Sequence, residues 1–332
     1  MNSIGVAFRV HIFGESHGTQ VGIIIDGCPA GMPIAEQDFE VDIERRKGGI
    51  LQGTTPRKED DVPIFLSGVF NGFTTGAPLT IVFNNSNTRS ADYAKQRAVP
   101  RPGHADFTAT KKFGGFEDYR GGGHFSGRLT VCLVAAGVVA KKILHTINNA
   151  ITCTATLLEV GGEANIEVGI AKAMQKGDSV GGIVACHVCN LPIGLGEPFF
   201  NSVESVLSHA VFAIPAVKGI EFGSGFAAAK MYGSEHNDAL QNSQGLTFTN
   251  HAGGIVGGIT NGNDIVFRIA VKPTSSTPAV QQTYNSLTNQ VEDFAVKGRH
   301  DLCIALRIPV VLEAVTAIVL VDLLKQPTTI VT

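Results

Sequence analysis

Phe13-Gly14-Glu15-Ser16-His17-Gly18 sets a serine and a histidine side by side between glycines. An imidazole next to a hydroxyl is a pair suited to proton transfer. The spacing also fits G-x-S-x-G, the nucleophile elbow of hydrolases, which requires a helix after the serine. Here Gly22-Ile23-Ile24-Ile25-Asp26-Gly27 reads as a second strand, so the hydrolase reading fails its context and a glycine-flanked hairpin turn remains as the bland alternative. A second histidine sits in Arg101-Pro102-Gly103-His104-Ala105-Asp106, where proline and glycine fix a turn around it. His104, between an arginine and an aspartate, is a candidate acid or base; a solvated turn histidine is the alternative.

Further stretches suit anions. Glu44-Arg45-Arg46-Lys47-Gly48-Gly49 and Thr54-Thr55-Pro56-Arg57-Lys58 combine cations with backbone and hydroxyl donors, as phosphate or carboxylate binding requires. Cations at Arg45 to Lys47 also suit a plain helix C-terminus. Tyr119-Arg120-Gly121-Gly122-Gly123-His124-Phe125-Ser126-Gly127-Arg128 runs into a long apolar segment, and a glycine-rich loop opening onto a helix N-terminus is a ready anion site. It matches neither G-x-G-x-x-G nor the P-loop. The C-terminal half adds Gly233 to Asp238, Asn250 to Gly258, Lys272-Pro273-Thr274-Ser275-Ser276 and Gly298-Arg299-His300-Asp301, loops of small, cationic and hydroxyl residues that would suit more than one anionic ligand. The ten histidines lack the short spacing of a zinc site, and no metal is assigned. Cys186-His187-Val188-Cys189 matches C-x-x-C but lies in a strand-like run with no helix after it, which argues against a redox motif.

These residues need a scaffold. Strands are predicted at 5–13, 21–25, 62–70 and 79–84, then at 152–160 and 181–188, with 254–260 and 265–271 as a pair. Helices are predicted at 34–44, 129–148, 203–212 and 311–325. The segment 129–148 is apolar nearly all round and should be buried on most sides. With no regular βαβ alternation, no linker and no repeat, the expectation is an α/β chain of α+β type: a single-domain β-α-β sandwich over 1–332, helices packed between antiparallel sheets.

Composition bounds the function. The 332 residues are 44% hydrophobic and 17% charged with a net charge of −3, a well-buried chain rather than a disordered one. That balance argues against coating nucleic acid by bulk charge. No clean apolar run of ~18 residues is seen, so no membrane span is expected. The six cysteines, in mostly apolar settings and with no signal pattern at the start of the chain, suit reduced thiols in the cytoplasm. Glycine is abundant, 39 of 332, without the G-x-y period of collagen.

Taken in order, Phe13 to Gly18, Arg45-Arg46, Thr74-Thr75-Gly76, Arg101 to Asp106, Tyr119 to Gly123, Gly253 to Gly258, Lys272 to Ser276 and Gly298 to Asp301 resemble chorismate synthase over nearly the whole chain. The resemblance implies conversion of 5-enolpyruvylshikimate 3-phosphate to chorismate and phosphate. This is an anti-1,4-elimination that needs reduced FMN without net redox change. It implies a cytoplasmic homotetramer with an external flavin reductase or other electron source; for some members NADPH binding has been suggested. By the same resemblance His17 would protonate the leaving phosphate, His104 would lie beside the flavin, Asp301 would work with the flavin in removing the C6 proton, and Ser16 would relay protons. Arg46, helped by Arg45 and Arg128, would bind substrate. Ser126, Ala216, Gly257, Lys272, Pro273, Thr274, Ser275, Ser276 and Arg299, with His124 and Phe125, would bind the cofactor. The chain departs from the family at His124-Phe125, where Arg-Ser is usual, at Leu302, where proline is usual, and at Gln52, where some members carry arginine. Without the resemblance, an anion-binding α/β enzyme is as far as the residues reach. A non-catalytic anion binder would not need His17, His104 and Asp301 together.

Overall fold

Two antiparallel sheets face each other across a pair of buried helices in the computed structural model, which describes residues 2–49, 51–57, 59–88, 97–296, 298 and 300–326. The first sheet comprises β1 (Ser3–Ile4), β2 (Arg9–Gly14), β3 (Gln20–Asp26), β4 (Ile64–Ser67) and β7 (Leu79–Asn84), in the order β1-β2-β3-β7-β4. A small ribbon, β5 (Val69–Phe70) and β6 (Phe73–Thr74), follows β4. The strand predicted over 62–70 is thus two strands, broken at Gly68, whose φ of 83° only glycine adopts freely. The second sheet comprises β8 (Thr152–Val160), β9 (Gly182–Cys189), β10 (Val217–Phe222) and β13 (Ile265–Val271), in the order β10-β13-β9-β8. β11 (Ile255–Val256) and β12 (Ile259–Thr260) pair only with each other, so the predicted pairing of 254–260 with 265–271 is not formed. β13 instead lies between β9 and β10. β14 (Gln281–Asn285) and β15 (Gln290–Phe294) form a separate hairpin.

The helices are α1 (Glu40–Arg46), α2 (Asp106–Phe113), α3 (Thr130–Ile147), α4 (Ile166–Lys176), α5 (Val203–Val211), α6 (Gly233–His236) and α7 (Ile308–Leu324). α3 packs on the first sheet, α7 on the second, and the two pack on each other. Their sequences account for this. α3 buries Val131 through Ala140 without interruption and turns polar only at Lys141-Lys142. α7 is buried along nearly its whole length and carries Pro309 in its first turn, where a missing N–H costs no helical bond. The crossing is close because of Gly137: a Cβ there would lie 2.2 Å from that of Ala314. The helical stretches 127–147 and 304–324 are long and apolar enough to cross a membrane by composition, longer than the apolar runs seen in sequence, yet both are mostly buried between the sheets. One contiguous core takes side chains from both sheets. Glu313, buried in mid-α7, is held by Arg45 of α1 (2.7 Å to each oxygen), Lys141 of α3 (3.0 Å) and the Ala155 amide of β8 (3.0 Å).

Candidate active site

The loop between β2 and β3 is strand-flanked on both sides. It is pinned from outside itself. Asn85 donates to the carbonyls of Glu15 (3.0 Å) and Gly18 (2.9 Å), and the Ser16 amide donates to the Gly123 carbonyl (3.1 Å). Ser16 is fully buried and His17 is 8% exposed. Arg57 donates to Ser16 Oγ (3.1 Å) and is itself clamped by Glu59, whose carboxylate also takes the Ser86 hydroxyl (2.8 Å). Gly121, at φ 60°, lies against this pair: a Cβ there would come within 2.4 Å of the His17 ring. Burial, then the charges of Arg57 and Arg120, hold the His17 imidazole below its usual 6.5.

His104 is oriented by Asp106, 2.6 Å from its Nδ1. Arg101 grips the same carboxylate in a fork (2.7 and 2.8 Å) and reaches Ser276 Oγ (3.0 Å). Burial alone would raise the Asp106 carboxyl, but the bonds from Arg101 and His104 outweigh it and leave it far below the usual range. The segment 272–276 is thereby stitched to the His104 turn. Lys272 donates to Ser275 Oγ (2.8 Å), which donates to the Gly103 carbonyl (2.7 Å). Burial and neighbouring Lys218 lower the Lys272 ammonium.

A third group forms where α1 ends and α3 begins. Arg46 is buried and donates to Thr130 Oγ1 (3.0 Å), Asp61 (3.0 Å) and the Arg128 carbonyl (3.2 Å). Burial, then Arg307 and Arg128, bring its guanidinium down to about 9, so it stays charged at neutral pH. Arg128 pairs with the other oxygen of Asp61 and donates to Asn85 Oδ1 (2.9 Å), which links it to the His17 loop. Ser126 caps the turn by accepting from the Arg128 amide (3.2 Å). Asp301 accepts from the Thr55 amide (2.8 Å) and is held on both oxygens by Arg307 (3.1 and 3.0 Å).

These groups share one cavity of about 680 Å³, inside the ~300–1,000 Å³ range of small-molecule sites. Arg46, His104, His124, Phe125, Ser126, Arg128, Ala216, Lys272, Thr274, Ser275, Ser276 and Asp301 line it. Ser16 and His17 lie behind Gly121 and Arg57, which do line it. Among the described lining residues, eight lysines and arginines face three carboxylates, in a chain whose net charge is −3. Such a concentration of cations selects anionic ligands. Ala216, at φ 74°, is a non-glycine residue in the left-handed region, and its carbonyl accepts from the Lys272 amide (2.9 Å). Thr274 Oγ1 is buried with no hydrogen-bond partner among the described residues, while Phe125, Phe212 and Ile214 give the cavity an apolar side. His124 is tied to the Gly14 carbonyl (2.8 Å) and Asn2 (3.1 Å).

Other expected residues lie elsewhere. Arg45 faces Glu313 and Asp42 and does not line the cavity, although it adjoins Arg46 in sequence. Gly257 sits exposed at the turn of the β11–β12 hairpin, and Pro273 does not line the cavity. Gln52 reaches Met174 instead of the cavity. Arg299 and Lys58 fall outside the described residues. The loops 233–238 and 250–258 bind one another, with Asp238 accepting from the His251 and Ala252 amides (both 2.8 Å), so they do not join the anion site of this chain. Sequence reasoning missed Glu59, Asp61, Lys218 and Arg307 as wall residues and gave Arg57 no role of its own. Arg57 had a usable signal in Thr55-Pro56-Arg57-Lys58-Glu59; Arg307 had none.

Known proteins resemble this chain in sequence and in fold. The sequence model of the chorismate synthase family matches residues 8–324. The chain is 66% identical over 328 residues to the chorismate synthase of Chitinophaga pinensis, covering 98% of both chains. It is 45% identical to that of a Dehalococcoides mccartyi strain (97% of this chain, 96% of the relative) and 42% identical to that of Methanocaldococcus jannaschii (98% and 96%). A crystal structure of a chorismate synthase superposes with a TM-score of 0.73 at 26% identity, covering 97% of this chain and 92% of the other. With a matching sequence model, full-length relatives and a shared fold of helices between antiparallel sheets, this chain belongs to the chorismate synthase family.

Proposed function

We propose that this chain, working as one domain, converts 5-enolpyruvylshikimate 3-phosphate to chorismate and inorganic phosphate by 1,4-elimination, with reduced FMN in the same cavity. The observation that carries the reading is the cation-lined cavity with His104 and Asp301 on its wall and His17 behind Gly121. The C6–H bond and the C3–O bond both break, and the leaving phosphate gains negative charge as it departs. Fixed cations stabilise such developing charge because they need no reorganisation. Arg46 and Arg128 are fixed in this sense, since both are locked on Asp61 and on backbone carbonyls.

His17, behind Gly121 and Arg57, would hold the proton that the phosphate takes. It is kept below 6.5 at rest, and an arriving phosphate anion counteracts the cations that keep it there. Asp301, fixed by Arg307 and the Thr55 amide, offers a carboxylate at the opposite demand of the reaction, acceptance of a proton. His104 is set by the Arg101–Asp106 fork and so presents a defined ring orientation to the cavity.

The residues fit reduced FMN. Lys272, Ser275 and Ser276 suit its phosphate and hydroxyls, the Thr274 hydroxyl, without a partner among the described residues, has hydrogen-bonding capacity to spare, and Phe125 and Phe212 supply an apolar side for the ring. When bound, the flavin supplies an electron-rich ring that helps the C–O bond cleave and is restored by the end of the cycle. Replacing His17 or His104 by alanine tests the reading. Each change should lower turnover about 10²–10⁴-fold, the usual weight of a general acid or base, while substrate binding is largely kept. Near wild-type turnover in either variant would remove that residue from the mechanism.

A further inference from the structure

We propose that His187, Cys189 and Asp264 form a binding site for a borderline transition-metal ion of the Zn²⁺ type on the outer face of the second sheet, apart from the active-site cavity. Strand geometry brings them together. His187 and Cys189 are two residues apart on β9, so their side chains leave the same face, while Cys186 and Val188, which alternate with them, point into the core. β13 pairs with β9 with Val188 opposite Ile265, which sets Asp264, just ahead of β13, beside the end of β9.

The ligand atoms are already close. His187 Nε2 lies 2.9 Å from Asp264 Oδ2, and Cys189 Sγ lies 3.9 and 4.0 Å from the two ring nitrogens of His187. All three groups offer one ligand atom within 4.8 Å of the others. With metal bonds of ~2.0–2.3 Å, the edges of a tetrahedral site are about 3.3–3.7 Å, so the observed separations bracket what a bound ion needs. The backbone that carries Asp264 is held by Asn250, which donates to its carbonyl (2.8 Å). One sulfur, one imidazole nitrogen and one carboxylate oxygen are a donor set for Zn²⁺ or Co²⁺, whereas Mg²⁺ and Ca²⁺ demand oxygen ligands. His187 and Asp264 keep about half their side-chain surface (52% and 44%), which leaves a fourth position facing solvent. None of the three lines the catalytic cavity, so the site adds to the proposed activity without being part of it.

Titrating the reduced, full-length protein with Co²⁺ tests this. One ion per chain should bind, with a thiolate-to-cobalt charge-transfer absorption that Zn²⁺ abolishes and a large excess of Mg²⁺ or Ca²⁺ leaves in place. C189S should lose that absorption. C153S, at the other partly exposed cysteine, should keep it. H187Q and D264N should each weaken binding at least ~10-fold, since even outer-shell changes cost that much. Absence of the charge-transfer band, its survival in C189S, or its loss on adding Mg²⁺ would overturn the proposal.

Discussion

The His17 ring is held below its usual 6.5 at rest by burial and by Arg57 and Arg120, yet the proposed chemistry asks it to carry a proton beside phosphate. The two demands meet if the ligand's own charge tunes the ring. In the free protein the His17 ring should titrate below 6.5, and saturating inorganic phosphate should move that titration upward. Nuclear magnetic resonance of ring-labelled histidine, assigned with H17A, reads both values; a pKa that phosphate leaves unchanged or lowers would mean His17 does not face the anion. The residue scale also shows what sequence spacing hides. Arg45 and Arg46 are neighbours, but successive helical residues point about 100° apart. One therefore meets Glu313 and the other meets Asp61 and the cavity. Adjacent arginines at a helix end read alike until the partners on other elements are known. The residues proposed to handle protons stand out in the sequence for the opposite reason: Ser16-His17 and His104 are each flanked by local glycines or proline that mark their turns.

At the scale of elements, the long apolar segments and β-branched runs announced α3, α7, β2, β3, β7, β8, β9 and β13, because burial on most sides leaves a continuous pattern. α4 left a fainter one. It buries only Gly169, Ile170 and Ala173, although its caps, Asn165 and Gly177, stand in the sequence. β10 is short, follows Pro215 and carries a bulge between Val217 and Gly219, which blurs its alternation. Arg307 serves the site only because α7 begins beside both Asp301 and the Arg46 carbonyl, a tertiary coincidence without local motif. Glu313 joins α1, α3, α7 and β8, so E313Q should destabilise the protein by about 2–3 kcal/mol. That lies at or below the ~3–5 kcal/mol for breaking a buried pair, because the Arg45 side chain is 41% exposed and water screens it. The folded-state pKa of Glu313 is depressed: burial opposes this, but Arg45 and Lys141 outweigh it. Its contribution is therefore present above the unfolded carboxyl value of ~4.3 and fades as pH falls through the lower folded one. Denaturant unfolding at several pH values should show wild type and E313Q converging in acid; a constant gap would contradict the assignment.

Across the whole molecule, every strand pair among the described residues is antiparallel, and no parallel βαβ unit offers a dinucleotide fold. We expect electrons for the flavin to come from an external source, as the family resemblance implies. Under nitrogen, the purified protein with FMN and substrate should consume no NADPH; oxidation that tracks chorismate formation would show a reductase within the chain. The sandwich itself explains why the site is positive in a chain of net charge −3. The apolar demand is met by α3 and α7, which leaves their N-terminal approaches and the loops at that end to carry Arg46, Arg128, Arg307 and Lys272. The most direct test is an anaerobic assay of the purified chain on 5-enolpyruvylshikimate 3-phosphate with chemically reduced FMN, following phosphate, chorismate and flavin together. Phosphate and chorismate should appear in equal amounts over many turnovers with the flavin still reduced at the end; no phosphate release, or release matched by flavin oxidation, would contradict the account.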